Sequence, residues 1–216
     1  MTPEKYIAST TRAYDVSRLP KAVLDTRAPL WWGNSWGLII ETVVFGSLIA
    51  AYFTLPMTMS PFPPAQVNRL PINYNTEPDL TIPTINLIVL LLSLIPGVLL
   101  DMSARRKDEK SVLYLLVVTF AFNVAIIVLR FYEFDSLYFR WDDNAYGSVT
   151  WVILGMHLIH LFVMAAEDVY EFTWTFVHGL DDKAAHEVTI TAVYWYWIVA
   201  IWVVIYAVIY LFPRFV

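Results

Sequence analysis

The chain has 216 residues, of which 58% are hydrophobic and 15% charged, with a formal net charge of −5 and no cysteine. Soluble domains average about 45–50% apolar and about 25% charged residues. The apolar excess, gathered in long runs, therefore excludes an ordinary soluble protein and indicates an integral membrane protein with a single membrane domain. Without cysteine there are no disulfides, thiolate metal sites or thiol nucleophiles, and no basic cluster with interleaved aromatics points to nucleic acid.

Residues 1–30 are polar and carry Lys5, Arg12, Arg18, Lys21 and Arg27 without the apolar region of a signal peptide. They are expected to lie on the membrane surface or against partners, leaving 31–216 as the membrane domain. A first span is expected over about 30–55; it opens on Trp31 and Trp32, suited to an aromatic belt, and is interrupted near its middle by Glu41. The connection from Pro56 to Thr81 holds Pro56, Pro61, Pro63, Pro64, Pro71 and Pro78, a density that argues against helix and for an ordered or extended loop. The second span, about 82–100, contains Asn86, Ser93 and a Pro96-Gly97 pair expected to kink it. A charged turn, Asp101 to Lys110, leads to the third span, about 111–132, which ends on Arg130, Tyr132 and Glu133. After an acidic loop, the fourth span, about 146–170, carries His157 and His160, and a polar loop is expected from Glu171 to Glu187. The fifth span, about 188–212, is rich in Tyr and Trp. The expected fold is thus all-α, a polytopic membrane protein with five transmembrane helices. Ten Lys/Arg fall on the side of the N-terminus, the Asp101–Lys110 turn and Lys183, against Arg69, Arg140 and Arg214 on the other. The positive-inside rule then places the N-terminus in the cytoplasm and the C-terminus in the periplasm or outside.

Few residues can carry chemistry. Glu41 reads either as a membrane-buried carboxylate that binds or passes protons or as a structural hydrogen-bonding group; the second is favoured because no other acid lies mid-span to continue a relay. His157 and His160 stand at i, i+3, on one helical face. They can be two ligands of a metal, but interhelical hydrogen bonding, with Glu41 as a candidate partner, is the simpler reading, since no third ligand is evident. Asp182 and His186 at i, i+4 form another formal ligand pair, read more simply as loop solvation or a helix start. The aromatics of the fifth span suit interfaces and protein contacts, and that span has no histidine to ligate a haem. There is no nucleotide-binding or hydrolytic motif.

In this order along the chain, Leu30-Trp31-Trp32-Gly33 with Glu41, Pro63-Pro64 with Leu70-Pro71, Pro83 to Asn86 with Ser93, Tyr132-Glu133-Phe134, Tyr146-Gly147-Ser148 with Gly155-Met156-His157-Leu158-Ile159-His160, and Tyr194-Trp195 with Trp202 and Tyr210 resemble the signatures of subunit III of the haem-copper terminal oxidases. The Gly-x-His-x-x-His element is the most specific. The chain is similar to the short five-helix members, which lack the first two of seven helices. It departs from the family where Tyr196 and Val199 stand in place of a usual His and Asp, and where Leu154 replaces a threonine. The resemblance implies an accessory, non-catalytic subunit of a proton-pumping cytochrome c oxidase in a bacterial inner membrane. Haem and copper would then reside in partner subunits I and II, with no metal, cofactor-binding or catalytic residue in this chain. It further implies stabilisation of subunit I, a bound phospholipid, sustained turnover, and contact with membrane lipids and further respiratory complexes. Glu41, His157, His160, Glu133 and Arg130 are the candidate structural, lipid-related or proton-related residues. Subunit III of a quinol oxidase is an alternative. The C subunit of a copper membrane monooxygenase is one of another class: Asp182 and His186 fit its first ligand motif, but no later histidine follows.

Overall fold

A computed structural model of the protein describes residues 28–66, 70 and 72–215. Most of the N-terminal segment expected over residues 1–30 lies outside the described residues. Five helices follow: α1 (Pro29–Thr58), α2 (Thr81–Arg105), α3 (Glu109–Asp135), α4 (Ala145–His178) and α5 (Asp182–Tyr206), the last continued by a π-helical turn (Ala207–Leu211) and a 3₁₀ turn (Phe212–Arg214). All five spans expected from the sequence are present as helices long and apolar enough to cross a membrane.

The first four helices outrun their expected spans, and so does α5 together with the two turns that continue it. The two longest have 30 and 34 residues, about 45–50 Å at the α-helical rise, against a hydrocarbon core of about 30 Å. A helix leaving the hydrocarbon keeps its backbone hydrogen bonds, so polarity alone does not end it. Three expectations change for that reason. Pro56 lies inside α1, whose last turn closes with the Met59 amide on the Leu55 carbonyl at 2.9 Å. Asp101 to Arg105 belong to α2, which also runs on through Pro96. The polar loop expected from Glu171 to Glu187 is instead the end of α4 and the start of α5, and Gly179, with φ of 80°, makes the turn after α4. That left-handed conformation favours glycine.

Asx caps set three of the helix starts. Asp108 accepts from the Ser111 amide, Asn144 from the Gly147 amide at 2.8 Å and Asp181 from the Ala184 amide at 2.7 Å. Tight connections at Arg106–Asp108 and Gly179–Asp181 put the end of α2, the starts of α3 and α5 and the end of α4 at one end of the bundle, where Lys107 pairs with Asp182. At the other end, the proline-rich connection is ordered by an antiparallel bridge between Gln66 and Asn73. Side chains hold it down: Gln66 donates to Asp143 at 2.9 Å and Arg214 to the Pro78 carbonyl at 2.7 Å.

Helices α2 to α5 form the packed body, α2 lying on α3 and α5, and α4 on α3 and α5. Their core includes Leu90, Ile126, Ile153, Leu161, Trp195, Ile198 and Trp202. Trp195 lies over Gly97, where an added Cβ would approach its ring to 3.3 Å, and donates to Ser93 at 3.1 Å. The sequence pair Pro96-Gly97 thus provides the recess for a tryptophan. By contrast, α1 packs chiefly on α4 and α5 and buries just Phe45, Tyr52 and Leu55 of its 30 residues.

Candidate functional site

Two polar groups gather the candidate residues. The first is built on Arg130 and Glu133, i, i+3 on α3 and both fully buried. Arg130 Nη1 donates to Glu133 Oε2 at 2.7 Å, and Asn86 of α2 donates to the same oxygen at 3.3 Å. The Tyr210 hydroxyl donates to Glu133 Oε1. The other guanidinium nitrogen, Nη2, lies 3.2 Å from His157 Nδ1 on α4, and the guanidinium carbon sits 3.6 Å from the Trp202 ring centroid on α5. Arginine only donates, so Nδ1 must accept. The proton is then on Nε2, which faces the Ile198 carbonyl at 3.1 Å. Both ring nitrogens of His157 are thereby engaged, and the charge of Arg130 is met at once by a carboxylate, an imidazole lone pair and an indole face. This one cluster ties four helices together.

The second group lies at the edge, between α1 and the body. His160 Nδ1 stands 2.7 Å from the Met156 carbonyl one turn back. A carbonyl only accepts, so Nδ1 carries the proton there, and Nε2 points at Glu41 Oε2 across 3.4 Å. The contact is close enough for an ion pair but lacks hydrogen-bond alignment. Rings surround the imidazole: Trp197 at 5.2 Å, Phe45 at 5.6 Å and Tyr194 at 6.3 Å between centroids. Trp197 in turn donates to Thr42 of α1 at 2.9 Å. Glu41 keeps about a third of its side chain exposed and opens onto a groove of about 320 Å³ lined by Asn34, Gly37, Ile159, Val163 and Tyr194.

The five candidate residues therefore divide. Arg130, Glu133 and His157 meet in the interior, whereas Glu41 meets His160 at the edge. The i, i+3 histidines share a helix face but serve different neighbours, so they do not make a joint metal pair. Among the described residues, no three His, Asp or Glu side chains converge as a metal site. Asp182 is engaged by Lys107, which removes it from the ligand pair with His186 that the monooxygenase reading required. The positions where a His and an Asp were expected hold Tyr196 and Val199, and they line an apolar groove with Leu91, Leu94 and Val98.

Several functional candidates escaped the sequence reading. Tyr210, one of the fifth-span aromatics suited to interfaces and protein contacts, caps Glu133. Asp168 and Glu171 are both buried on α4, toward its C-terminal end and not at mid-span. The signal was present: His157, His160, Leu161, Met164, Asp168, Glu171 and Thr175 continue one buried stripe at steps of three and four.

Comparison with known proteins gives this geometry its context. The family model described as cytochrome c oxidase subunit III matches residues 22–214. Cytochrome c oxidase subunit 3 of Thermostichus vulcanus is 25% identical over 179 residues, covering 82% of this chain and 85% of that protein. The Hippopotamus amphibius protein of the same name is 26% identical over 192 residues, covering 84% and 69%, and that of Bos taurus is 25% identical over 192 residues with the same coverage. A multi-pass helical chain carrying this ordered set of polar residues, matched nearly end to end, belongs to the cytochrome c oxidase subunit III family.

Proposed function

We propose that the chain is the accessory subunit III of a proton-pumping cytochrome c oxidase in a bacterial inner membrane. It packs on subunit I, alongside subunit II, holds a phospholipid, and prolongs the active life of the complex while the electron-carrying haem and copper reside in those neighbours. Family membership over residues 22–214 carries the reading. The side-chain geometry supports it: His157 has no free lone pair, and one nitrogen of His160 donates to a carbonyl while the other meets Glu41. These histidines do not fit a haem or copper site. Residues 1–30 form a cytoplasmic segment and 31–216 the membrane domain, with the C-terminus in the periplasm.

The lipid role is supported by the groove beside Glu41, open along the weakly packed α1, and by the apolar side chains that α1 turns outward, Ile39, Ile40, Val43 and Met57 among them. The Glu41–His160 pair would tie α1 to α4 and form the polar floor of that groove. Glu41→Ala should leave the initial oxygen consumption of the complex near normal and shorten its active lifetime. Progress curves of oxygen uptake test this directly, and immediate, complete loss of activity would instead assign Glu41 a direct part in the chemistry.

A further inference from the structure

A phenol gives up an electron readily only where a base takes its O–H proton at the same time. Tyr210 meets that condition. It is fully buried, and its hydroxyl donates to Glu133 Oε1. The other carboxyl oxygen is occupied by Arg130 and Asn86, so Oε1 is the oxygen left to receive a proton. The π-helical turn Ala207–Leu211 carries this residue, and such turns recur at functional sites. A π turn holds more residues than an α turn, which brings side chains four apart nearly one above the other. The rings of Tyr206 and Tyr210 accordingly stack, with centroids 5.6 Å apart and planes 29° apart.

The neighbouring rings decide where a missing electron, a hole, comes to rest. On the inner side Trp202 is fully buried, its ring centroid 6.3 Å from that of Tyr210. The Arg130 guanidinium lies over its face, and a fixed cation opposes positive charge in the ring beneath it. Among the described residues no group accepts from its indole N–H. A hole therefore crosses Trp202 without settling there. On the outer side Tyr206 is half-buried, and its hydroxyl stands 2.7 Å from that of Thr84, a far weaker base than a carboxylate. Trp202, Tyr210 and Tyr206 thus form a line of oxidisable rings from the interior toward the surface, with the most stable place for a hole at Tyr210.

We propose that Tyr210 is a redox-active tyrosine, oxidised by one electron with Glu133 as its proton acceptor. A high-potential one-electron oxidant takes the electron through Trp202 or Tyr206. The O–H bond breaks and its proton passes to Glu133 Oε1, leaving a neutral tyrosyl radical and a carboxylic acid still held by Arg130. One electron from a reduced haem of the partner subunits, with return of the proton, restores both groups. The oxidant in the complex is an oxidising intermediate of oxygen reduction in the neighbouring haem-copper subunit. That source rests on the oxidase reading above, whereas the oxidisability of Tyr210 rests on its geometry alone.

The test places 3-fluorotyrosine at position 210 of the whole complex, where fluorine splitting in the electron paramagnetic resonance spectrum marks a radical on that residue. Photogenerated tris(bipyridine)ruthenium(III) is the first oxidant; hydrogen peroxide, acting at the haem-copper centre, is the second. Both should produce the split signal at 210. The signal should be several-fold weaker with the label at Tyr52, which is as deeply buried but has no carboxylate on its hydroxyl. In the ruthenium experiment Tyr206→Phe, which keeps the stacked ring and removes its phenol, should lower the yield at 210 several-fold. No signal at 210 with ruthenium, or equal signals at 210 and 52, would overturn the redox assignment. An unchanged yield in Tyr206→Phe would overturn the route to the surface. Should the complex labelled at 210 not assemble, Tyr210→Phe decides, since it must remove part of the wild-type tyrosyl signal. A signal with ruthenium but none with peroxide would overturn the oxidase as the source and leave Tyr210 oxidisable, and haem in the same preparation tests the oxidase reading separately.

Discussion

Arg130 has no solvent exposure and lies within a membrane span, where Glu133, His157 and Trp202 surround and compensate its charge. Removing one member of a buried pair strands the other, at a cost of about 3–5 kcal/mol, whereas replacing both by apolar residues is often neutral. Arg130→Met should therefore destabilise the subunit by that amount in thermal or denaturant unfolding of the complex. Combining it with Glu133→Leu should recover much of the loss. Arg130→Lys should behave nearly as badly as Met, since one ammonium cannot serve Glu133 and His157 while stacking on Trp202. Equal stability of Arg130→Met and wild type would mean that the cluster is not what joins the four helices. The sequence marked Arg130 and Glu133 through their place at a span end and Tyr210 through the last-helix signature, but could not pair Tyr210 with Glu133 across 77 residues of chain. Glu41 and His160 were easier to foresee, because ionisable groups inside spans seek a polar neighbour and few were available.

For the helices, apolar content located all five spans, and capping chemistry set where α3, α4 and α5 begin. Asn144 caps α4 and so fixes the first turn, beside which Gly147 lies so close to the Arg140 carbonyl that no Cβ fits. Asn144→Ala should cost about 1 kcal/mol and Gly147→Ala about 1–3 kcal/mol, both read from the unfolding midpoint. If Gly147→Ala is silent, the turn is looser than described. At the start of α3, the Ser111 hydroxyl and then its backbone amide hydrogen-bond to Asp108 and hold its carboxyl below the ordinary carboxylate range. A carboxyl so depressed contributes to stability above its unfolded value and loses that contribution as pH falls through its folded value. The Ser111 amide resonance should thus titrate with a midpoint below about 3.9, the ordinary Asp value, and show no such step in Asp108→Asn. A midpoint at or above that value would rule out the cap. The far ends of the helices were misjudged for a physical reason. Hydropathy reports where hydrocarbon stops, and α4 continues for another two turns beyond it, taking Glu171 and His178 into the helix. Spacing along α4, rather than polarity, held the information about Asp168 and Glu171.

Taken as a whole, the subunit is a four-helix body with a fifth helix, α1, attached along one edge through Phe45, Tyr52 and the Glu41–His160 contact. Large apolar side chains face outward on α1, α2 and α3, which suits a chain surrounded by lipid and by partner subunits. Purified alone in mild detergent, it should aggregate or unfold, and size-exclusion chromatography would reveal a stable monodisperse monomer if that expectation is wrong. The most direct test of the accessory role is to recover a tagged copy under gentle solubilisation, record the haem spectrum and copper content, then dissociate the partners and measure both again on the tagged chain. The expected result is haem and copper in the intact assembly and neither on the separated chain. Porphyrin or copper remaining bonded to the separated chain, or an intact assembly without haem, would contradict it.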